Sequence, residues 1–414
     1  MKADPRPLVI AVPLARFADW GGGIGFIRLL LEGLTQDPAV RVVALIPKPT
    51  LPQLLRRMAA ALFRSLQGLA QGKLGWKVAR PFRPEDILAA ISDYVPRIST
   101  RFHGDHPRGL VSALKAIGAS AAIPCFEPMP GDCPVAWVGY IYDFQHRYLP
   151  ENFTEAERKG RDSAFAQMIE AAPVVICNSE AVRLDAERFH PGSSHKVVSL
   201  PFTPVPRPGW FDLDPLRAQD RYGLPRQYFI VCNQFWTHKD HPTAIKAYAE
   251  FLARSGRQDV ALVCTGSQDD YRAPRYLESL KELISTLGLS GNVYLVGHIS
   301  KDDQIALLRG ALALLQPTLF EGGPGGGAVY DAVAVGVPAL VSDLEVNLEI
   351  GAGMCQFFTQ RDPASLASLM EKVADSALPR PTREELLERA QVAAKKLGEV
   401  LISSARLAEE RHIP

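Results

Sequence analysis

One glycine-rich stretch decides the fold: Leu319-Phe320-Glu321-Gly322-Gly323-Pro324-Gly325-Gly326-Gly327-Ala328-Val329-Tyr330-Asp331. The apolar run 311–315 before it predicts a buried strand. Residues 328–335 after it predict a helix, which Gly336 and Pro338 end. A strand, a glycine loop and a helix N-terminus in this order form an anion site, because unpaired N–H groups and the helix dipole favour a phosphate.

Glycines occupy five of the six positions around Pro324. Glycine lets the backbone approach a ligand closely, but it costs chain entropy that a plain turn would not need. A ligand-binding loop is therefore favoured over a tight turn without a ligand. Phosphates repel carboxylates, so the flanking acids Glu321 and Asp331 are interpreted as acceptors for sugar or ribose hydroxyls. The glycines expected to contact the ligand are Gly323, Gly325, Gly326 and Gly327.

The bulk composition excludes several protein classes. A chain of 414 residues predicts two or three domains, and 47% hydrophobic with 22% charged residues is typical of a globular protein. A net charge of +1 argues against a nucleic-acid partner. The six cysteines form no CxxC pair and are interpreted as reduced core residues. With no signal peptide and no run of about 20 apolar residues, we expect a cytoplasmic protein.

Strand and helix patterns alternate through both halves of the chain, separated by a linker with five prolines at 201–215. Such repetition predicts two doubly wound parallel sheets, with the ligand between them at the carboxyl ends of the strands. We predict a Rossmann-like domain at 1–205, a second one at 206–380, and a helical tail at 381–414 that packs back toward the first domain.

A second glycine loop, residues 20–25, follows the first predicted strand. It matches a dinucleotide fingerprint weakly, because the third glycine is missing and the next strand, 40–46, lacks the acid that would grip a ribose. We therefore expect no NAD, and assign Gly22 and Gly23 to close contact with a substrate or phosphate.

Asp143 and His146 follow the predicted strand 135–142, where polar groups face the usual ligand crevice. Both are candidate substrate contacts, and a structural histidine is equally open. The triplet 178–180 is interpreted as a helix cap. The acidic pair 269–270 follows a strand of the second half and is expected to be exposed, so no metal site is predicted.

Residues 38–84 contain no acid and nine basic residues, with apolar residues at helical spacing between 51 and 69. A basic amphipathic stretch suits an anionic membrane surface, which Arg56, Arg57 and Arg64 would contact. A packed surface helix with solvated arginines explains the pattern equally well.

The second half resembles the retaining glycosyltransferases of the GT-B fold, family 4 type. The residues that carry the resemblance are Pro317–Gly322, Asp331-Ala332 and Gly336–Asp343, supported by Lys239, Gly297 and the triplet 178–180. The segment Asn233–Lys239 is similar to a bacterial branch that builds surface polysaccharides. The resemblance implies two Rossmann-like domains that face a central cleft.

The resemblance also implies an activity. A hexose would pass from a nucleotide diphosphate sugar to a lipid-linked or polysaccharide acceptor, with retention of configuration and without a metal or other cofactor. The branch suggests mannose on GDP. This transfer would be a step of envelope polysaccharide synthesis, carried out in the cytoplasm or on the cytoplasmic face of the inner membrane. The alternatives are a nucleotide-sugar epimerase or phosphorylase on the same fold, or a degenerate sugar-nucleotide binder.

The family pattern then assigns roles. Glu321 would contact donor hydroxyls, Asp331 the ribose, and Lys239 the diphosphate. Asp143 or His146 would position the acceptor or the donor sugar. The chain departs from the pattern in two places: Asn233 stands where an arginine is usual, and the spacing from Glu321 to Asp331 is two residues longer. The base would meet the main chain near Gly297, His298 and Ile299.

Overall fold

The computed structural model describes residues 7–17, 22–48, 84–270, 272–351, 353, 355–376 and 380–412, together with Leu55 and Ala59. Within these residues the chain forms two parallel sheets flanked by helices. The predicted fold class is confirmed as α/β, with two doubly wound sheets.

The first sheet has the strand order β3-β2-β1-β4-β5-β6-β7. Its strands are β1 (Leu8–Pro13), β2 (Val40–Lys48), β3 (Ser99–Gly104), β4 (Ala121–Cys125), β5 (Ala136–Ile141), β6 (Val174–Cys177) and β7 (Val197–Ser199). The helices around it are α1 (Gly23–Leu34), α2 (Pro84–Ala90), α3 (Pro107–Ile117), α4 (Gln145–Tyr148), α5 (Glu155–Ala171) and α6 (Glu180–Phe189).

The second sheet has the order β10-β9-β8-β11-β12-β13. Its strands are β8 (Gln227–Cys232), β9 (Val260–Thr265), β10 (Val293–Gly297), β11 (Leu314–Gln316), β12 (Ala339–Ser342) and β13 (Cys355–Phe358). Its helices are α7 (Pro215–Tyr222), α8 (His241–Ser255), α9 (Tyr276–Thr286), α10 (Lys301–Gly310), α11 (Gly326–Ala334), α12 (Glu345–Leu348) and α13 (Pro363–Asp375), and a final helix α14 spans Arg383–Arg411.

The central strands are apolar along their whole length because helices cover both faces of each sheet. Strands β4, β5, β6, β9 and β12 are buried at every position. Chain order reverses between β8 and β11, and parallel strands carry their ligands outside the carboxyl ends at such a switch point. The loops after β8 and β11 therefore meet there, and they contain Lys239 and Glu321.

No helix in the described part of the chain has both the length and the apolar character to cross a membrane. The cysteines that the sequence assigned to the core are free, and all but the half-buried Cys232 are buried. Arg56, Arg57 and Arg64 lie outside the described residues. The domain limits at 205 and 380 stay a prediction.

Helix α14 follows the second sheet in sequence but packs on the first. Its buried Leu397 and Leu401 share a core with Ile27 and Leu30 of α1 and with strands β1 and β2. The two helices touch through backbone, because a Cβ on Gly398 would lie 2.3 Å from the carbonyl oxygen of Gly33. This contact is why glycine stands in the middle of a long helix.

Gly398→Ala is expected to destabilise the protein by about 1–3 kcal/mol, because the added methyl group forces α14 away from α1. Differential scanning calorimetry should show a lower Tm. The control Gly160→Ala lies in α5 with open space around the new Cβ. It should raise stability slightly, by up to about 1 kcal/mol, through helix propensity alone. Equal effects of the two substitutions would contradict the close contact.

Candidate functional site

The glycine loop leads into α11 through two residues with positive φ, Gly325 at 66° and Gly326 at 62°. A Cβ on Gly326 would lie 2.7 Å from Oε2 of Glu321, so only glycine lets the carboxylate approach the helix N-terminus this closely. The buried Asn347 fixes the loop from behind, since its Oδ1 accepts the Gly325 N–H at 2.8 Å. The loop is therefore held in place before any ligand binds.

Glu321 and Lys239 form an ion pair at the switch point. Lys239 Nζ donates to Glu321 Oε1 at 2.6 Å, and the two side chains are only 12% and 9% exposed. Gln316, the last residue of β11, donates to the same Oε1 at 3.2 Å and to the Gly325 carbonyl at 2.8 Å. Asn233 Nδ2 in turn donates to Gln316 Oε1 at 2.9 Å. The four side chains form one hydrogen-bonded chain.

This pairing leaves capacity for a ligand. An ammonium group has three N–H donors and a carboxylate about four acceptor positions. Within the described residues Lys239 uses one donor, and Oε2 of Glu321 accepts no hydrogen bond. Lys239 can therefore still donate to a phosphate oxygen while Glu321 accepts a hydroxyl. Asn233 brings no charge to the site; it orients Gln316, and through it Glu321.

Asp331 lies on α11 and is paired with Lys301, the first residue of α10. Burial raises the pKa of Asp331, and Lys301 opposes that rise. Asp331, which the resemblance assigns to the ribose, is thus already paired with a lysine. A ribose hydroxyl would have to donate to the Asp331 carboxylate beside Lys301. No local sequence pattern indicates Lys301 as this partner.

The first domain faces the loop with the segment after β5. A Cβ on Gly322 would lie 2.6 Å from the carbonyl oxygen of Tyr142 and 2.7 Å from Cβ of Asp143. Asp143 is held by Arg161 and by the Gln145 N–H, which donates at 2.9 Å. Asp143 therefore borders the glycine loop, and its role as a substrate contact stays a prediction.

Unlike Asp143, His146 is fully buried. Its side chain is buried among the rings of Phe144, Phe153 and Phe165, and its Nε2 is 2.7 Å from Oδ1 of Asp162. Burial lowers its pKa. This placement favours the structural alternative that the sequence left open, and it gives His146 no direct path to a substrate in this conformation.

Ser179 caps α6, as predicted, by accepting the Val182 N–H at 3.2 Å. It also donates to the Gly322 carbonyl at 3.2 Å. Glu349 of the second domain accepts the N–H groups of Glu180 and Ala181 at 2.9 and 2.8 Å. The cap thus joins the two domains beside the glycine loop.

The remaining predicted contacts lie at the start of α1 and at or just after the end of β10. Gly22 is exposed in front of α1, and a Cβ on Gly23 would lie 2.1 Å from the Phe17 carbonyl oxygen. Gly297 has a φ of 81° at the end of β10, followed by the exposed His298 and the half-buried Ile299.

One expectation about the acidic pair is wrong. Asp270 is buried, because Arg272 Nε donates to its Oδ1 at 2.9 Å and covers it. The guanidinium of Arg272 also lies 4.8 Å from the centre of the Trp236 ring. Sequence alone could not show that a residue two positions further on folds back over the carboxylate.

Two buried histidines flank Lys239. His241 is fully buried and stacks on Phe235, with ring centroids 4.5 Å apart. Burial and the nearby Lys239 lower the pKa of His241 to about 3 and that of His238 to about 2. Both imidazoles are therefore neutral in the folded protein at any ordinary pH.

This burial predicts loss of stability in acid. Below pH 6.5 the unfolded chain binds protons at these positions and the folded chain does not, so stability falls as pH falls through 6.5. At pH 5 each histidine costs roughly 2 kcal/mol. His241→Phe keeps the ring stack, and should reduce the stability difference between pH 7.5 and pH 5 by about that amount in urea unfolding. The same substitution at the exposed His195 is the control; equal acid sensitivity of wild type and His241→Phe would contradict the account.

Comparison with known proteins places this site in context. Residues 216–396, which contain the switch point, match the family model described as glycosyl transferases group 1. No protein in the curated set matches the sequence. HepE (Alr3699) of Anabaena, solved in complex with UDP, is 13% identical with a TM-score of 0.59, over 97% of this chain and 99% of that chain.

Two further structures are similar over nearly the full length. Sucrose-phosphate synthase (tll1590) from Thermosynechococcus elongatus is 15% identical with a TM-score of 0.58, over 97% of both chains. WaaG, a glycosyltransferase involved in lipopolysaccharide biosynthesis, is 16% identical with a TM-score of 0.50, over 97% of this chain and 99% of that chain. At these identities the similarity establishes the fold, which is that of the GT-B glycosyltransferases.

Proposed function

We propose that the protein is a glycosyltransferase that moves a sugar from a nucleotide diphosphate sugar to an acceptor. The observation that carries the proposal is the Lys239–Glu321 pair on the glycine loop at the switch point. The family match over 216–396 supports it, as does the similarity to HepE, whose structure contains UDP. We assign the donor to the second sheet and the acceptor to the face of the first.

The geometry suggests how the donor would be held. The diphosphate would lie at the N-terminus of α11, where free N–H groups and the helix dipole favour negative charge. Lys239 would donate to its β-phosphate with the N–H groups that Glu321 does not use. Oε2 of Glu321 would accept a hydrogen bond from a hydroxyl of the donor sugar. Asp331, paired with Lys301, would accept one from the ribose. The base would lie near residues 297–299.

The reaction breaks the bond between the anomeric carbon and the β-phosphate oxygen, and forms a bond from that carbon to the acceptor oxygen. Negative charge grows on the leaving phosphate, and fixed N–H donors with Lys239 stabilise it where it develops. We propose that the leaving phosphate takes the acceptor's proton on the same face, so that configuration is retained without a separate general base. No metal or other cofactor enters this scheme.

We also propose a donor sugar, an acceptor and a cellular location. The resemblance of residues 233–239 to a surface-polysaccharide branch suggests a hexose, with mannose first, and a lipid-linked or polysaccharide acceptor in envelope synthesis. The basic stretch 51–83 would hold the enzyme on the cytoplasmic face of an anionic membrane. Flotation with vesicles containing anionic lipid tests that part: recovery of the protein at low salt only in the lipid-free fractions would refute it.

The residues around Glu321 also fit a protein that binds a sugar nucleotide without transferring the sugar. Asn233 stands where the family pattern usually has an arginine, and Glu321 already accepts hydrogen bonds from Lys239 and Gln316. Incubation with UDP-, GDP- and dTDP-sugars, with and without glycan acceptors, separates the cases. We expect one donor to release its nucleoside diphosphate faster when acceptor is present. Binding without release would support the degenerate binder, and interconversion of sugars without release an epimerase.

A further inference from the structure

A cavity of about 270 Å³ lies at the end of α11 opposite the glycine loop. Three arginines line it, Arg309, Arg380 and Arg383, together with the apolar side chains of Phe211, Val335 and Leu386. Helix α11 has nine residues, which places this cavity about 13 Å along the helix axis from the donor site. The cavity is therefore separate from the Lys239–Glu321 pair.

The arginines carry more charge than their surroundings balance. Arg383 pairs with Asp212 at 3.0 Å, and Asp212 is itself 66% exposed. Arg309 donates to the carbonyl oxygens of Trp210 and Leu213, and Arg380 to those of Arg309 and Ala311. Within the described residues no carboxylate lies at ion-pair distance from Arg309 or Arg380.

Loss of contact with water and mutual repulsion add to the cost of this excess of positive charge. Removal from water lowers the pKa of both Arg309 and Arg380; Asp212 opposes this shift at Arg309 and Tyr228 opposes it at Arg380, while a neighbouring guanidinium adds to it in each case. Arg309 is half-buried, whereas Arg380 and Arg383 are exposed on the rim of the cavity, and three like charges so close together favour a bound anion. A guanidinium keeps several N–H donors in a fixed plane, and those that do not reach the backbone are suited to phosphate oxygens.

A purely structural role explains only part of the arrangement. Arg380 donates to carbonyls at the C-terminal end of α10, which stabilises a helix terminus. That role needs neither Arg383 nor a cavity beside the arginines. The apolar wall of Phe211, Val335 and Leu386 offers a surface that an inorganic ion would not use.

We propose that this cavity binds a small phosphate monoester, with its phosphate among Arg309, Arg380 and Arg383 and its organic part against Phe211. The site is independent of the donor site and of the proposed transfer reaction. It lies where α14 begins and leaves the second sheet for the first, so an occupant would contact both the crossover helix and the second domain.

Isothermal titration of the Lys239→Met protein tests the proposal, because that variant lacks the donor-site cation. The probes are phenyl phosphate and inorganic phosphate in a low-salt buffer without phosphate. We expect one site per chain, with phenyl phosphate bound more tightly than inorganic phosphate. Equal affinity would assign the site to the phosphate ion alone, and absence of binding would overturn the proposal.

Two variants in the same background locate the site. Arg383→Gln should weaken phenyl phosphate binding at least tenfold, because one charge-assisted contact is lost. Asp212→Asn keeps all three cations and frees Arg383, so binding should be as tight or tighter. Lys395→Gln, an exposed position on α14, is the charge-matched control and should change nothing. Unchanged affinity in Arg383→Gln, or weaker binding in Asp212→Asn, would refute the assignment.

Discussion

Lys239→Met is expected to lower kcat for sugar transfer by about 10²–10³-fold, the usual loss when a donor that stabilises developing charge is removed. Lys239 pairs with Glu321 of the glycine loop, which leads into the N-terminus of α11. Its loss leaves the growing charge on the leaving phosphate to N–H groups alone. The measurement is release of nucleoside diphosphate in the presence of acceptor, with the donor that the panel identifies.

The control for this prediction is Lys246→Met, an exposed lysine on α8 that should leave kcat unchanged. Lys239→Met leaves the Glu321 carboxylate, which is only 9% exposed, without its cation. The Tm of each variant is therefore compared with that of the wild type. The double variant Lys239→Met with Glu321→Gln removes that unpaired charge and should recover stability but not activity. Recovery of both would show that the pair is only structural.

Gly322→Ala is expected to reduce transfer strongly, because its Cβ would lie 2.6 Å from the Tyr142 carbonyl oxygen and 2.7 Å from Cβ of Asp143. Both neighbours belong to the first domain, so the methyl group forces the glycine loop away from the acceptor face. A misplacement of about 1 Å can cost about 10²-fold in rate. We expect kcat to fall by that order while each domain stays folded.

Gly291→Ala, a loop glycine with open space around its Cβ, should leave kcat at the wild-type value. Small-angle X-ray scattering of Gly322→Ala with bound nucleotide provides an independent readout. We expect a larger radius of gyration than in wild type. Wild-type turnover in Gly322→Ala would contradict the contact between the loop and residues 142–143.

The sequence predicted the order of most elements because the central strands are continuous apolar runs between turn signals. Strands β3, β7 and β13 were missed. Residues 99–102 of β3 are exposed, β7 has three residues, and β13 has four. All three lie at the edges of their sheets, where a strand is covered less and carries a weaker apolar pattern.

Chain topology brings together the two residues that the sequence predicted for the donor site, whose role stays a prediction. Glu321 and Lys239 follow β11 and β8, and adjacent parallel strands present their carboxyl ends to the same crevice. The Asn233–Gln316 bond spans 83 residues and the Lys301–Asp331 pair 30, and neither has a local pattern. His146 became buried because Phe153 and Phe165, from later segments, fold over it.

The central claim is that the Lys239–Glu321 pair on the glycine loop marks a nucleotide-sugar site. Isothermal titration of the wild-type protein with UDP, GDP and dTDP tests it most directly, followed by Lys239→Met with the nucleotide that binds. We predict one of the three to bind at one site per chain, and Lys239→Met to weaken it at least tenfold. Failure of all three to bind, or equal affinity in the variant, would contradict the claim.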